Sequence, residues 1–246
     1  MAEKKTKKYV SADSGTQTDA PVKSGKKMKE AAPVGNAKGL RVGAVVLWLL
    51  ALVMEVLALL VVLGKINLRF MPTLYQLIAF LVLDLAFVIV GAQLWKKANR
   101  IDPVSEANKL KFWLWNNMGV IACVVAFVPV IILLLSNKNL DKKTKTIATV
   151  VAIIALLIGG VCSYDFNPVS EEQQEAAISA LGDEHVFWAP FGKVYHTHDD
   201  CQALNQSDAL TYGTVEQAIA ANRTRLCYFC AEKDNITGVV TDGASE

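Results

Sequence analysis

The sequence VGAVVLWLLALVMEVLALLVVL, residues 42–63, is a run of 22 residues in which Glu55 is the only charged side chain. Crossing the hydrocarbon core of a bilayer takes about 20 apolar residues in a helix, so this run predicts a membrane span. Three more segments meet or approach that length. The four predicted spans are Val42–Leu63, Pro72–Trp95, Trp113–Leu135 and Thr146–Tyr164. The predicted fold class is therefore membrane all-α: a four-transmembrane-helix bundle with a small C-terminal α+β domain.

The ends of the chain differ sharply from this apolar centre. Residues 1–39 carry nine Lys against four acidic residues, whereas residues 163–246 carry four bases against fourteen acids. We expect a disordered basic tail at 1–39, a transmembrane domain at 40–164 and an acidic helical linker at 165–185. A small zinc-binding domain is expected at 186–234, followed by a disordered tail at 235–246. An acidic C-terminal region would be repelled by phosphates, so no nucleic-acid partner is expected.

The Lys and Arg residues of the short loops predict the orientation of the chain in the membrane. The N-terminal tail and the second loop together hold 14 bases, and the first and third loops hold six. Both termini are therefore predicted to be cytoplasmic, in a multi-pass protein of the cell membrane. The four lysines of the third loop act against this orientation.

Two acidic residues, Glu55 and Asp84, fall near the middle of the first and second spans. Because a carboxylate costs roughly 2.5–3.5 kcal/mol at this depth, neither is expected to face lipid. One interpretation is a proton or cation site in which the two groups share or retain protons. The other, which we favour from the sequence, is an interhelical hydrogen bond that holds the bundle together.

Three of the five cysteines gather near the C-terminus in the pattern His196-x4-Cys201-x25-Cys227-x2-Cys230. Zinc prefers tetrahedral thiolate and imidazole ligands, and a Cys-x2-Cys turn presents two sulfurs to one ion. The pattern predicts a zinc site formed by His196, Cys201, Cys227 and Cys230, with His198 as a possible replacement for His196. The alternative is a disulfide with a leftover thiol, or three unlinked thiols.

The segments VFWAPFGKVYHTHDDCQAL and GTVEQAIAANRTRLCYFC, within Val186–Ala231, resemble small metal-binding modules similar to the N-terminal zinc domain of the Ada DNA-repair protein. The resemblance places Tyr195-His196, Cys201, Cys227 and Cys230 on the motif positions and thus favours His196 over His198. Here a histidine stands where the Ada-type domain has a fourth cysteine, and the surroundings are acidic. Repair of DNA is therefore not expected.

The leading prediction of function is non-catalytic: a membrane-anchored zinc module that binds a protein partner or organises a complex. Four protein ligands leave no open position for an activated water, and no hydrolase or phosphate-loop motif appears. One alternative is proton- or cation-coupled transport through Glu55 and Asp84. Another is an enzyme or redox sensor that uses a zinc-bound thiolate such as Cys230. Trp188 and Phe191 are candidates for a partner surface, with at least one expected in the domain core.

Overall fold

The computed structural model describes residues 7–18, 34–182 and 184–243, and this part of the chain divides into two compact units. The helical unit contains residues 37–98 and 109–166. The mixed unit contains the remaining described residues, namely 7–18, 34–36, 99–108, 167–182 and 184–243. The predicted fold class, a membrane helical bundle with a small α+β region, is confirmed.

The helical unit consists of four long helices and one short one. They are α1 (Ala37–Val62), α2 (Thr73–Ile101), α3 (Lys109–Asn116), α4 (Met118–Ser136) and α5 (Lys142–Ser163). All except α3 are long and apolar enough to cross a bilayer. Many of their large apolar side chains are exposed and few are fully buried, which is the arrangement expected of helices surrounded by lipid. These helices indicate a multi-pass membrane protein.

The third predicted span, Trp113–Leu135, is divided in the structure. Helix α3 ends at Asn116, and α4 begins at Met118. Asn117 between them is buried, and its side-chain amide donates to the Trp113 carbonyl oxygen at 2.9 Å. A polar side chain that bonds to the preceding backbone competes with helix continuation, which accounts for the break.

Helices α4 and α5 pack through small residues. The buried face of α5 includes Ala148, Ala152, Ala155 and Gly159. A methyl group placed on Gly159 would lie 2.7 Å from Cys123 Sγ of α4, closer than such contacts allow. Glycine at this position therefore permits the close approach of the two helices.

The mixed unit is built on a four-stranded sheet in the order β2-β1-β5-β3. Its strands are β1 (Lys8–Ser11), β2 (Gln17–Thr18), β3 (Val186–Trp188) and β5 (Ala209–Gly213). A second, two-stranded sheet pairs β4 (Val194–Tyr195) with β6 (Arg225–Leu226) in parallel. Three helices complete the unit: α6 (Glu171–Leu181), α7 (Val215–Ala220) and α8 (Tyr228–Lys233). A single antiparallel bridge, between Phe187 and His196, joins the segments that contain β3 and β4.

The prediction of a disordered tail at 1–39 is wrong for residues 7–18. Strand β1 pairs in parallel with β5 over four residues, from Lys8 opposite Ala209 to Ser11 opposite Tyr212. Tyr9 is only 5% exposed and belongs to the core of the mixed unit. The N-terminal segment is thus an integral strand of the C-terminal domain. Residues 1–6 and 19–33, also predicted to be disordered, lie outside the described residues.

Two further boundaries differ from the prediction. Helix α6 begins with a capping box at Ser170, and its residues Ala177 and Leu181 are buried in the core of the mixed unit. Residues 167–182 are therefore part of that domain and not only a spacer, whereas residues 165 and 166 belong to the helical unit. Within the tail predicted as disordered at 235–246, the Leu226 N–H donates to the Val240 carbonyl oxygen at 2.9 Å, so this segment is ordered against β6. Residues 244–246 lie outside the described residues.

The loop between α2 and α3 also belongs to the mixed unit. Val104 forms a parallel bridge with Ser170, and the Glu106 N–H donates to Glu172 Oε2 at 3.0 Å. Hydrogen bonds from Ser105 and Glu106 lower the pKa of Glu172 to about 2. The N-terminal strand, this loop and the C-terminal region therefore belong to one compact unit.

The close packing at Gly159 predicts that alanine substitutions at two adjacent glycines have different effects on stability. Gly159→Ala should destabilise the helical unit by about 1–3 kcal/mol, because the added methyl group overlaps Cys123 Sγ. Gly160→Ala is the matched control, since nothing lies within 4 Å of the position that its methyl group would occupy, and it should be neutral or slightly stabilising. Thermal unfolding of the full chain in detergent measures both. Equal effects at the two positions would contradict the packing.

The pairing of β1 with β5 predicts that the N-terminal segment protects backbone amides of the C-terminal sheet from hydrogen exchange. Tyr9→Ala should cost about 3–5 kcal/mol, because it removes a buried aromatic side chain. Backbone amides of β5 should then exchange with deuterium much faster in the full chain. Gln17→Ala, at an exposed position of β2, is the control and should leave β5 protected. Unchanged protection of β5 in the Tyr9 variant would refute the pairing.

Candidate metal centre

Each of the four predicted ligands is placed by a short element of the mixed unit. His196 follows directly after β4, where its backbone pairs with Phe187. Cys201 precedes a 3₁₀ turn over Gln202–Leu204. Cys227 is the residue before α8, and Cys230 lies in the first turn of that helix. All four are buried, although they come from three separate segments of the chain.

The ligand atoms of these four residues converge. They all lie within 4.8 Å of one another. Cys201 Sγ is 3.9 Å from Cys227 Sγ, and Cys230 Sγ is 3.8 Å from His196 Nδ1. All three thiols are free cysteines in the structure. The cluster could therefore hold one metal ion at its centre.

The pKa of each thiol in the cluster is raised, because burial outweighs the effect of the nearby backbone N–H groups. Burial raises the pKa of Cys227, and N–H groups of Cys230 and Phe229 that hydrogen-bond to its sulfur lower it. Burial likewise raises the pKa of Cys201, against a hydrogen bond from the Ala203 N–H. A bound metal ion would favour the thiolate form much more strongly than these N–H groups do, because a thiol that coordinates a metal loses its proton.

The two neighbouring histidines have different surroundings. Burial lowers the pKa of His196 to about 4, which keeps its ring neutral, the form that binds metals. His198 Nε2 instead lies 2.7 Å from Asp234 Oδ1, outside the cluster. Asp234 also accepts a hydrogen bond from the Thr197 hydroxyl group. His198 and Thr197 thus connect the first ligand segment to the end of α8.

The N-terminal segment contacts the loop that joins His196 to Cys201. The Tyr9 hydroxyl group donates to Asp199 Oδ2 at 2.6 Å, and Lys7 Nζ donates to the Asp199 carbonyl oxygen at 2.7 Å. Burial, together with the Asp199 carboxylate, raises the pKa of Tyr9 to about 12. Sequence reasoning missed Tyr9 and Lys7, because nothing in a Lys-rich tail marks a strand whose partner follows about 200 residues later.

A small open cavity lies against one side of the cluster. Its volume is about 290 Å³, and its lining includes the ligands Cys201 and Cys230 together with His198, Phe229 and Lys233. Cys230 itself is only 1% exposed. The cavity therefore borders the metal centre but leaves its thiols almost covered.

The two predicted surface aromatics have opposite environments. Trp188 is buried in the core of the mixed unit. Phe191 is 100% exposed in the turn after β3. The Arg223 guanidinium donates to the carbonyl oxygens of Ala189 and Pro190 and so fixes this turn. Of these two aromatic side chains, only Phe191 is exposed and so accessible to a partner.

The intramembrane acids are both buried in the helical unit. Asp84 of α2 is 0% exposed and Glu55 of α1 is 5% exposed. Neither Asp84 carboxylate oxygen has a hydrogen-bond partner in the described part of the chain. The interhelical hydrogen bond favoured from the sequence is therefore wrong for Asp84. Buried apolar residues of the same helix, Leu81 and Val88, lie about one turn on either side of it.

Comparisons with protein-family models, with curated proteins and with solved structures found no match to this chain. The resemblance to Ada-type modules is therefore carried by residue spacing alone, and the convergence of His196, Cys201, Cys227 and Cys230 is the firmest guide to function.

Proposed function

We propose that the chain is a membrane-anchored zinc protein whose metal centre is structural and whose mixed unit binds or organises a protein partner. One observation carries this proposal: three cysteines and one histidine, all buried, bring their ligand atoms within 4.8 Å of one another. The mixed unit is small and its strands are short, so a bound metal ion would supply much of its stability.

Zinc is the metal that suits this set of ligands best. Tetrahedral Zn–S bonds of about 2.3 Å separate two sulfurs by about 3.8 Å. The contacts of 3.9 Å between Cys201 and Cys227, and of 3.8 Å between Cys230 and His196, agree with that spacing. Three thiolates and an imidazole also favour zinc over magnesium or calcium, which prefer oxygen ligands.

A non-catalytic role follows from the closed shell of ligands. Catalytic zinc sites have three protein ligands and one open position for water, whereas structural sites have four. Here four side chains can occupy all four coordination positions of a tetrahedral site. The burial of all four ligands supports the same conclusion, because an ion held there has little contact with solvent.

Phe191 supports the partner-binding part of the proposal. An exposed aromatic side chain in a well-fixed turn loses little conformational entropy when it is buried by a partner. Aromatic and arginine side chains are also the commonest contributors to binding energy at protein interfaces. Lys193 follows the turn, and Arg225 pairs with Val194 in the neighbouring strand, so the same edge carries positive charge.

The proposed location is the cell membrane, with both termini in the cytoplasm. Pairing of β1 with β5 supports placing the two ends on the same side. The excess of bases in the N-terminal tail and second loop supports the cytoplasmic side. Three free thiols in one cluster are also typical of a reducing compartment.

Metal analysis of the purified full chain tests the zinc centre. We expect one zinc ion per chain. His196→Ala should lose most of it, because three ligands bind far less tightly than four. His198→Ala is the matched control and should retain zinc, since His198 pairs with Asp234 instead of joining the cluster.

A second control concerns the cysteines. Cys230→Ser should lose zinc, whereas Cys162→Ser, in the last turn of α5, should not. Equal zinc content in the two histidine variants would refute the proposed ligand set. Rapid alkylation of the zinc-loaded cluster by N-ethylmaleimide would instead favour a reactive thiolate and contradict the structural role.

Orientation is tested with reporters fused to the full chain. An alkaline phosphatase fused after Glu246 should be inactive and a fluorescent protein at the same point should be bright, because the former matures only outside the cytoplasm. The same pair fused in the loop between α1 and α2 should give the opposite result. An active phosphatase at the C-terminus would overturn the proposed orientation.

A further inference from the structure

A second polar cluster lies in the helical unit, independent of the metal centre. It consists of Glu55 on α1, Asp84 on α2 and Cys123 on α4. Asp84 and Cys123 are 0% exposed, and Glu55 is 5% exposed. Asp84 is close enough to interact electrostatically with both of the others. Three helices thus bring their buried ionisable groups to one place.

The surroundings of Asp84 supply no compensation for a negative charge. Its two carboxylate oxygens are buried without a hydrogen-bond partner in the described residues. The Cys123 thiol lies 3.6 Å from the Leu156 carbonyl oxygen of α5, so its hydrogen is directed there. On the buried face of α2, the residues one and two turns from Asp84 are Leu77, Leu81 and Val88.

No basic side chain approaches from the packed helices. Between residues 42 and 62, α1 contributes only Glu55 as a titratable group. Between residues 73 and 95, α2 contributes Tyr75 and Asp84, and Tyr75 is 60% exposed. Helix α4 contributes only Cys123, and α5 has no titratable group between residues 146 and 161.

An unpaired carboxylate in this position is strongly unfavourable. Burial without a hydrogen bond or counter-charge disfavours the ionised form, and a second carboxyl group nearby disfavours it further. Two species can neutralise the site, a proton or a metal cation. Sodium and calcium need several oxygen ligands, and the neighbouring side chains on α2 are hydrocarbons. A proton needs only the carboxyl group itself.

We propose that Asp84 and Glu55 form a proton-binding site inside the membrane bundle, in which Asp84 is a neutral carboxylic acid at neutral pH. The ligand is H⁺, held by the Asp84 carboxyl group and adjoined by Glu55. This site requires neither zinc nor the mixed unit, so its failure and the failure of the zinc proposal are distinguishable. If the chain carries out proton-coupled transport, the Asp84 carboxyl group is the proton carrier near the middle of the membrane.

Infrared spectroscopy of the full chain in lipid vesicles tests the proposal. The wild-type protein should show the C=O absorption of a protonated carboxylic acid across the neutral pH range. Asp84→Asn, which keeps the size and polarity of the side chain, should abolish or greatly reduce that band. Asp141→Asn is the control and should not change it. Asp141 caps α5, where hydrogen bonds from Thr144 lower its pKa, and Asn is an equally good cap.

A measurement on the unmutated chain guards against misfolding of the variant. Labelling aspartate with ¹³C at the side-chain carboxyl group should shift the same band to lower frequency. Labelling glutamate in the same way should shift part of the band if Glu55 also contributes. If labelled aspartate produces only carboxylate bands at neutral pH, Asp84 is ionised and the proposal is wrong. An acid band that persists unchanged in Asp84→Asn would equally overturn it.

Discussion

A strand can pair only with a strand that shares its compartment, and the parallel pairing of β1 with β5 applies this constraint to the whole chain. Residues 8–11 and 209–213 stand at opposite ends of the sequence, with four apolar helices between them. The backbone hydrogen bonds of this pair can form only if the intervening chain crosses the membrane an even number of times. The four candidate spans are consistent with that condition, and the composition of the mixed unit depends on this pairing.

The N-terminal segment that carries β1 also contacts the proposed metal centre. Tyr9 and Lys7 hold Asp199, which lies between His196 and Cys201. Ligand geometry therefore depends on a segment that reaches the domain from before α1. A domain with short strands gains rigidity from both sources, the N-terminal strand on one side and the proposed zinc ion within the cluster. Its exposed elements, notably the Phe191 turn, are in this way presented by a firm framework.

Much of this organisation could be predicted from the sequence, and the exceptions have physical causes. Long apolar runs identify membrane helices because lipid offers no hydrogen bonds to backbone N–H and C=O groups, which must therefore pair within a helix. The spacing of Cys227 and Cys230 predicted that their sulfurs lie close together, because one turn presents both, and the structure brings them into one cluster. Strand β1 could not be predicted, since four residues carry no usable periodicity and their partner is distant in sequence. The unpartnered state of Asp84 could not be predicted either, because hydrogen bonding depends on the rotation of each helix about its axis.

The distance along the chain between β1 and β5 has a consequence for biosynthesis. The first strand leaves the ribosome about 200 residues before its partner, an interval of roughly 10–40 s at ordinary elongation rates. During that time all four helices are made, and β1 lacks its β5 partner, with only β2 beside it. The C-terminal domain can be completed only after the last helix has emerged and the chain has threaded the bilayer correctly. A molecule inserted with one helix missing would leave β1 and β5 in different compartments, and the edge of β5 that β1 covers would stay unpaired.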